Sequence, residues 1–430
     1  MNQALRLGYE AAAQLARVTA VLAAQLAWRT DAKPLRALSA RRGIRRRYQD
    51  WAARNRQSER PLLWVHAPSI GEGLQARPVL ELMRQRHPEV QLAYTHYSPS
   101  AQSFADGLDV DFRDYLPFDS AGDARASLDA LRPTAIVFSK LDVWPVLAQL
   151  AHSRGVRLGL VSATLSATSS RRSPLAAALL RDAYAALDAV GAVDAVDAGR
   201  LVDLGVRADV ILVTGDTRYD QVWQRAQRVD RDGPVLSRLR GGRPTIVAGS
   251  TWPADEEVLL PAFVAARRIV PDARLVIAPH EPTTAHLRPI ERWSSSERLR
   301  LARLDSAAHE SDVILVDRVG VLGDLYALAD VAFVGGGFHD AGLHSVLEPA
   351  AFGAPVVFGP QHTGSRDALL LAEQAGGRAA RDVASLSSVL VEWLGDHRAR
   401  GEAGRRARAL VQNGLGAADR SLSLVESLLR

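Results

Sequence analysis

The chain carries a candidate catalytic carboxylate at Glu72, within the segment WVHAPSIGEG at residues 64–73. An apolar run ends there in a short turn, which predicts a strand, a close turn at Gly71 and a helix with Glu72 in its first turn. The helix dipole and free N–H groups favour an ionised carboxylate at that position. Glu72 could therefore act as a general base, although a glutamate that only compensates the dipole would show the same local pattern.

A second candidate site is the segment GSTWP at residues 249–253, which follows the first strand predicted in the C-terminal half. Pro253 is typical of a helix start, so backbone N–H groups and the hydroxyls of Ser250 and Thr251 could hold a phosphate there. Ordinary capping of the helix by either hydroxyl explains the same residues equally well.

The most distinctive segment contains the triple glycine Gly335, Gly336 and Gly337, followed by His344 and Glu348. Glycines allow a backbone to approach a ligand closely. The spacing of His344 and Glu348 predicts that they share one helix face, where the carboxylate could accept both hydroxyls of a ribose. A solvated surface pair is the alternative, but it would not need three glycines beside it.

Several weaker candidates also follow predicted strands. His280 could contact a phosphate or a ribose, although a polar strand exit explains it almost as well. Arg171, Arg172 and Arg218 could meet an anionic sugar or a lipid phosphate, with a solvated arginine as the alternative for each.

The elements that must position these residues are strands and helices in alternation. Short apolar runs alternate with segments of helical period, as in a parallel sheet covered on both faces. The predicted strands are residues 62–66, 91–95, 135–138, 157–162, 189–193 and 210–214, then 245–248, 275–278, 313–316, 331–334 and 355–358. We therefore predict an α/β protein of two doubly wound, Rossmann-like domains, which would hold ligands in a cleft at the carboxyl ends of their strands.

Positive charge is concentrated at the N-terminus, because residues 1–50 hold ten Lys/Arg against three Asp/Glu. An interrupted apolar stretch within residues 7–28 falls short of the ~20 apolar residues that a membrane span needs. We expect an interfacial amphipathic helix and a basic cluster that bind an anionic membrane surface rather than nucleic acid. The cluster comprises Arg41, Arg42, Arg45, Arg46 and Arg47. The alternative is a first-domain helix with a solvated basic end.

The chain contains no cysteine, which excludes disulfides, thiolate catalysis and metal sites with cysteine ligands. Cysteine usage of this kind is compatible with the cytoplasm. At 430 residues, the chain is long enough for two domains. A charged stretch with Gly-Pro and Gly-Gly pairs at residues 226–243 is predicted to link them.

In this order the motifs resemble those of the bacterial 3-deoxy-D-manno-octulosonic acid (Kdo) transferases of lipopolysaccharide synthesis. The resemblance covers nearly the whole chain, from the basic stretch near Arg41 to Arg420. Its motifs are HAPSIGE at 66–72, WP at 144–145, TGD at 214–216, GST at 249–251, APHE at 278–281, GDLY at 323–326, the triple glycine, LEPA at 347–350 and QNG at 412–414.

The resemblance implies a GT-B fold with an acceptor domain at residues 51–225 and a nucleotide-sugar domain at 244–412. It also implies that residues 413–430 return to the first domain as a helix. Residues 1–50 are the membrane-associating segment expected from their charge and their apolar stretch. CMP-Kdo would be the donor and a lipid A precursor the acceptor. Transfer would invert configuration without a metal or any cofactor.

The resemblance also implies roles for residues of this chain. Glu72 would be the base. The donor would be held by Ser69, Gly71, Ser250, Thr251, His280, Gly335, Gly336, Gly337, His344 and Glu348.

Three segments depart from the family's usual residues. Lys140 and Asp142 stand in KLDVWPV where relatives commonly have ETELWPN, so a carboxylate becomes an ammonium. Ser162-Ala163-Thr164 replaces Asn-Ala-Arg. Asp216 with Arg218 replaces an asparagine with a later lysine. We expect Lys140, Asp142, Asp216 and Arg218 to contact the acceptor or the sugar carboxylate.

The sequence therefore predicts Kdo transfer from CMP-Kdo to lipid IVA at the cytoplasmic face of the inner membrane. Two alternatives stay open. The chain could transfer another acidic sugar or use another membrane acceptor, as Lys140, Ser162 and Thr164 indicate. It could also be a membrane-bound binding protein that lacks catalysis.

Overall fold

The computed structural model describes residues 33–430 apart from 241 and 341, together with Gly8, Tyr9 and Leu15. Most of the predicted N-terminal amphipathic helix lies outside the described residues. The chain divides into two compact units, one of Met1–Gln221 with Gly416–Arg430 and one of Val222–Leu415. Within the described residues, no helix is long and apolar enough to cross a membrane.

The first unit is built on a parallel sheet of seven strands in the order β3-β2-β1-β4-β5-β6-β7. The strands are β1 (Leu62–His66), β2 (Gln91–His96), β3 (Phe112–Tyr115), β4 (Ala135–Ser139), β5 (Arg157–Ala163), β6 (Ala189–Ala192) and β7 (Ile211–Val213). The helices are α1 (Lys33–Ser39), α2 (Ile44–Asn55), α3 (Ile70–Arg86), α4 (Gln102–Asp106), α5 (Ala121–Leu131), α6 (Pro145–Ser153), α7 (Pro174–Ala185) and α8 (Ala195–Asp203). The next helix, α9 (Thr217–Arg228), begins in the first unit and ends in the second.

The second unit has a parallel sheet of seven strands in the order β10-β11-β9-β8-β12-β13-β14. The strands are β8 (Thr245–Thr251), β9 (Arg274–Pro279), β10 (Leu301–Arg303), β11 (Val313–Leu315), β12 (Val331–Val334), β13 (Val356–Phe358) and β14 (Gly377–Ala379). The helices are α10 (Pro234–Leu239), α11 (Pro253–Arg267), α12 (Thr284–Ser296), α13 (Leu322–Leu325), α14 (Leu347–Ala351), α15 (Arg366–Glu373), α16 (Val383–Gly395) and α17 (His397–Asn413).

The strand β1 shows why both faces of the first sheet must be covered. Leu62 and Trp64 belong to one hydrophobic core and Leu63 and Val65 to another, because successive side chains point to opposite faces of a sheet. All five residues of β1 are buried. A strand buried on both faces has a continuous apolar sequence, which is why the sequence predicts β1 with its observed bounds.

The strands β3, β10 and β14 are not predicted from the sequence. Each lies at an edge of its sheet. Their sequences, FRDY, LAR and GRA, are short and carry charged residues. An edge strand has one strand neighbour and needs no apolar run, so its pairing partner determines it more than its own sequence does.

Residues 226–243, which the sequence predicts to be an interdomain linker, belong to the second unit. The helix α10 forms within this segment, and its Leu236 and Leu239 are buried in the core that also contains Val247 and Val276 of the second sheet. The helix α10 has only six residues. A pattern of apolar residues over so short a segment does not distinguish a helix from a charged loop, so the sequence does not predict α10.

The last helix of the chain, α18 (Ala417–Ser427), belongs to the first unit. Its Leu422 and Val425 are buried in the core beside β1. The carboxylate of Asp220 accepts hydrogen bonds from the backbone N–H groups of Gly416 (2.8 Å) and Ala418 (2.9 Å) at the start of this helix. These contacts attach the C-terminal segment to α9 within the first unit.

Three of the five arginines in the N-terminal basic cluster form contacts inside the first unit. Arg41 is buried, and its Cζ lies 4.0 Å from the centre of the Tyr97 ring. Arg45 and Arg47 each form an ion pair with an aspartate of this unit. The other two arginines are exposed. The cluster therefore presents less positive charge to a membrane than its sequence indicates.

Candidate active site

Glu72 lies in the first turn of α3, at the carboxyl end of β1, and its side chain is 19% exposed. The Ser69 hydroxyl donates a hydrogen bond to Glu72 Oε2, and the Lys140 Nζ donates one to Oε1 at 3.4 Å. The Ser139 hydroxyl, at the end of β4, donates to the backbone carbonyl of Glu72 at 3.0 Å. These contacts fix the carboxylate at the edge where parallel strands end, which is where such folds bind ligands.

Close packing at the start of α3 requires a glycine at position 73 rather than at position 71. A Cβ added to Gly71 would meet only Ser69 Oγ, at the ordinary distance of 3.7 Å. A Cβ at Gly73 would lie 2.5 Å from Phe104 Cε1 and 2.7 Å from the Tyr94 hydroxyl. A side chain at position 71 would therefore meet no steric obstacle, so the backbone there does not require a glycine. The absence of a side chain at Gly73 allows α3 to pack against Phe104 and Tyr94.

A second carboxylate of the first unit, Asp142, has three polar partners. It accepts from Trp144 Nε1 at 3.0 Å, lies 3.3 Å from His66 Nε2 and pairs with Arg171 at 3.4 Å. Burial opposes ionisation of Asp142, but the contact with His66, the bond from Trp144 and the charge of Arg171 outweigh it and lower its pKa. Asp142 therefore orients His66 and Trp144 as an ionised partner.

The sequence does not single out His66 and Trp144 as site residues. His66 is the last residue of β1, and Trp144 precedes α6 in the segment that follows β4. Their place at the carboxyl ends of two strands is the sequence feature that could have marked them as site residues. The contact of His66 with Asp142 requires β1 to pair with β4, and this pairing cannot be predicted from the sequence alone.

Asp216 and Arg218, both predicted to contact the substrate, bind each other. Arg218 donates to Asp216 Oδ2 from Nε at 2.8 Å and from Nη2 at 2.6 Å. Asp216 is buried, and although burial opposes ionisation, the charge and hydrogen bonds of Arg218 lower its pKa. Arg218 also remains partly exposed. A substrate would therefore meet a guanidinium that is already paired.

Three residues near strand ends have left-handed backbones although they are not glycine. The φ angles are 64° at Lys140, 52° at Ser162 and 53° at Ser250, at the ends of β4, β5 and β8 respectively. This conformation costs an L-residue about 1–2 kcal/mol. Such strain persists where the surrounding structure imposes it, and it is common at functional sites.

In the second unit, the strand β8 extends through Thr251, three residues beyond the predicted end. Thr251 is buried and its hydroxyl donates to Glu256 Oε1 at 2.8 Å. Neither Ser250 nor Thr251 caps α11, because the residue at that position is Trp252. The Thr251 hydroxyl is therefore already used as a donor within the protein, while Ser250 is partly exposed.

The backbone N–H groups of the triple-glycine segment are bound by Asp255. Its buried carboxylate accepts from Gly336 N–H at 2.7 Å, Phe338 N–H at 3.0 Å and Trp252 N–H at 2.9 Å. The sequence does not single out Asp255 as a site residue. The structure shows that it joins the start of α11 to the loop after β12, and that Gly336 N–H already has a protein acceptor.

The three glycines bring backbone against backbone. A Cβ at Gly335 would lie 2.3 Å from the carbonyl oxygen of Ser250, and one at Gly337 would lie 2.4 Å from the amide nitrogen of Gly359. Gly336 has a φ of 88°, which L side chains rarely adopt. The glycines therefore allow three loops of the second unit to pack closely.

An aromatic surface lies beside these loops. The indole of Trp252 stacks on His339, with 4.4 Å between ring centres, and on His280, with 4.6 Å. Its Nε1 donates to His344 Nε2 at 3.2 Å. Burial and the neighbouring His280 lower the pKa of His344 to about 4, so His344 is neutral at pH 7 and can offer hydrogen bonds but no charge.

The lowered pKa of His344 predicts a pH dependence of stability. Histidine has a pKa near 6.5 in an unfolded chain, so between about pH 6.5 and 4 the unfolded state binds more protons than the folded state. The lowered pKa of His344 therefore contributes to the free energy of unfolding above pH 6.5, and this contribution is lost as the pH falls towards 4. We expect the thermal unfolding midpoint of His344→Gln to fall less steeply over this interval than that of the parent protein. Exposed His152→Gln is the matched control, and equal slopes for all three proteins would contradict the prediction.

His344 and Glu348 do not share one helix face, because α14 begins only at Leu347. His344 precedes the helix and hydrogen-bonds to Trp252 instead. Glu348 makes no hydrogen bond or ion pair with any residue in the described part of the chain. Burial raises its pKa, which the charge of Arg225 partly opposes. Glu348 is therefore a carboxylate with unused acceptor capacity.

Comparisons with known proteins agree with this architecture. Residues 38–221 match the family described as 3-deoxy-D-manno-octulosonic-acid transferase (kdotransferase). The enzyme of that name from Bordetella pertussis is 30% identical over 380 residues, which cover 85% of this chain and 87% of the relative. The one from Haemophilus influenzae is 25% identical over 379 residues, with the same coverage of 85% and 87%.

Solved structures support the fold. The UDP-GlcNAc 2-epimerase of Neisseria meningitidis superimposes with a TM-score of 0.63 at 14% identity, covering 86% of this chain and 99% of that one. A putative UDP-N-acetylglucosamine 2-epimerase of Listeria monocytogenes gives 0.60 at 14% identity, covering 86% and 96%. The predicted α/β class and GT-B type are thereby confirmed. The chain belongs to the 3-deoxy-D-manno-octulosonic acid (Kdo) transferase family and is a glycosyltransferase.

Proposed function

We propose that this protein transfers Kdo from CMP-Kdo to lipid IVA, a lipid A precursor, with inversion of configuration and without a metal ion or other cofactor. Membership of the family supports a Kdo transferase. The observation that carries the catalytic assignment is the Glu72 carboxylate, fixed at the carboxyl end of β1 by Ser69 and Lys140.

In the proposed reaction, Glu72 accepts the proton of the attacking acceptor hydroxyl. The hydroxyl oxygen forms a bond to the anomeric carbon of Kdo, while the bond from that carbon to the phosphate oxygen of CMP breaks and its electron pair leaves with CMP. A positioned base of this kind contributes about 10²- to 10⁴-fold to a rate. His66 and Trp144, oriented by Asp142, line the same sheet edge and would contact the acceptor sugar.

The residues proposed to bind the donor lie in the second unit. Glu348, with unused acceptor capacity, suits the two hydroxyls of a ribose. Trp252 with His280 and His339 offers a stacking surface for a planar or sugar ring. Because Gly336 N–H is bound by Asp255, Ser250 and His280 are better candidates than Gly336 for contacts with the phosphate.

Incubation with CMP-Kdo and lipid IVA tests the proposal directly. We expect a Kdo–lipid product by mass spectrometry, released CMP in equal amount and unchanged activity in excess EDTA. The anomeric configuration of the product, measured by NMR, tests inversion. Release of CMP without a Kdo–lipid product would contradict the assigned acceptor.

Lys140 favours a second candidate, in which the enzyme transfers another acidic sugar or uses another membrane acceptor. Its ammonium stands beside the proposed base, where relatives commonly have a carboxylate. Thermal shifts with CMP, UDP and GDP distinguish the donors, because a ligand that binds the folded state stabilises it. Stabilisation by CMP alone favours CMP-Kdo. A protein without turnover on any nucleotide sugar would instead be a binding protein.

We propose that the protein works at the cytoplasmic face of the inner membrane and that the N-terminal half of α7 contacts the anionic bilayer. Leu175 is 62% exposed, and Pro174 and Ala178 are also exposed. Arg172 precedes this apolar segment and Arg181 follows it. Apolar side chains flanked by arginines suit the interface of an anionic bilayer.

Vesicle sedimentation tests this contact. We expect the protein to bind vesicles that contain phosphatidylglycerol, and Leu175→Asp to weaken that binding by about tenfold because a charge replaces buried apolar area. Ile269→Asp, at a 67% exposed apolar residue of the second unit, is the matched control and should bind normally. Equal binding of both variants would exclude α7 as the contact.

A further inference from the structure

The contact between Lys140 and Glu72 leads to an inference that rests on the proposed function and extends it. Lys140 Nζ lies 3.4 Å from Glu72 Oε1. Among the residues that the structure describes, the Lys140 ammonium contacts no other acceptor. The carboxylate of Asp142 contacts His66, Trp144 and Arg171 instead.

The backbone of Lys140 is held in a conformation that points to a specific role. Its φ of 64° is left-handed, and its N–H donates to the carbonyl of Val161 at 2.8 Å, which fixes the residue to β5. A glycine would adopt this φ without strain. The chain therefore keeps a left-handed, non-glycine residue directly after β4, and the side chain of that residue contacts Glu72 Oε1.

The composition of the chain makes a lysine at this position unusual. Lys33 and Lys140 are the only lysines among its 53 lysine and arginine residues. Positive charge is thus supplied almost everywhere by arginine. One of the two exceptions, Lys140, lies beside the proposed base.

The difference between the two cations has a geometric cause. An ammonium is a compact charge that can contact one carboxylate oxygen, whereas a guanidinium presents a planar fork that binds both oxygens of a carboxylate. A fork that bound both oxygens of Glu72 would compete with the Ser69 hydroxyl for Oε2. The contact from Lys140 to Oε1 leaves Oε2 to the Ser69 hydroxyl.

We infer that Lys140 is a positioning residue that holds the Glu72 carboxylate through a single-point contact, and that arginine cannot replace it. Ser69 fixes one oxygen and Lys140 the other, so the carboxylate keeps one orientation. The Lys140 side chain is 44% exposed, so its remaining N–H groups are open to solvent.

Kinetics of Lys140→Met and Lys140→Arg with CMP-Kdo and lipid IVA test the inference. We expect both variants to lower kcat by roughly ten- to a hundredfold, a part of what the base contributes, with KM for either substrate changed less than threefold. Thermal midpoints should stay within about 2 °C of the parent, because an exposed pair contributes little to stability. Lys33→Met, at the other lysine, is the matched control and should keep the parent kcat.

The decisive measurement is a double-mutant cycle. If Lys140 acts through Glu72, Lys140→Met should cause no further loss in a Glu72→Gln background under single-turnover conditions. A further tenfold loss there would show an independent role and overturn the inference. Parental kcat in Lys140→Arg would overturn the requirement for an ammonium.

The inference and the proposed function fail in different ways. If Glu72→Gln lowers kcat while Lys140→Met does not, the base assignment stands and the inference is wrong. If Glu72→Gln keeps the parent kcat, the base assignment is wrong and the role of Lys140 falls with it.

Discussion

Glu72→Gln is expected to lower kcat by about 10²- to 10⁴-fold, because glutamine cannot accept the proton of the acceptor hydroxyl. The amide keeps the size of the side chain and can still accept a hydrogen bond from Ser69, so the fold and the affinity for the donor should change little. Steady-state kinetics with CMP-Kdo and lipid IVA give kcat and KM. Thermal unfolding with and without CMP measures folding and donor binding separately.

Glu81→Gln is the matched control for that experiment. Glu81 lies on the same helix, α3, and pairs with Arg77 at 2.8 Å on the exposed side of the unit. An exposed pair at this spacing contributes little to stability. The control should keep the parent kcat and midpoint. A Glu72→Gln enzyme with parental kcat would exclude Glu72 as the base, whatever the family resemblance implies.

Asp255→Asn is expected to weaken both the second unit and its binding of nucleotide. The carboxylate accepts three backbone N–H groups, and an asparagine side chain provides one oxygen and turns an NH₂ group towards the remaining donors. Leaving buried donors unsatisfied costs about 1–3 kcal/mol for each group. We expect the free energy of unfolding to fall by about 3 kcal/mol and the affinity for CMP to fall about tenfold as the loop at Gly336 loosens.

Urea denaturation and calorimetric titration with CMP measure these two effects. Glu257→Gln is the matched control, because Glu257 lies on the same helix, α11, and is exposed. It should leave both quantities unchanged. If Asp255→Asn loses the expected stability but binds CMP as tightly as the parent protein, the loop after β12 does not contact the nucleotide.

The site also changes how the departures from the family are understood. Asp216 and Arg218 neutralise each other within the first unit, so neither offers an unpaired charge to a substrate. Asp142 is an ionised anchor for His66 and Trp144. Of these four residues, only Lys140 directly contacts the proposed base. Among the departures, Lys140 is therefore the one with a direct route to the chemistry.

The sequence by itself determined the fold class, the central strands and the position of Glu72. Buried parallel strands are continuous apolar runs, so β1 and β4 are visible in the sequence without knowledge of their partners. The start of α3 is equally local, since a proline and a turn precede a helix whose first turn favours a carboxylate. Information of this kind lies within ten or so neighbouring residues.

Only the tertiary structure decided what lies far apart in the sequence. The edge strands β3, β10 and β14 exist because a neighbouring strand pairs with them. Arg41 becomes buried under Tyr97, and Asp255 reaches Gly336, 81 residues away. His344 leaves the predicted helix to meet Trp252. Hydrogen bonds and burial between distant segments have no local pattern, so the partners of Glu72 and the acceptor of the glycine-loop N–H groups became known only from the folded chain.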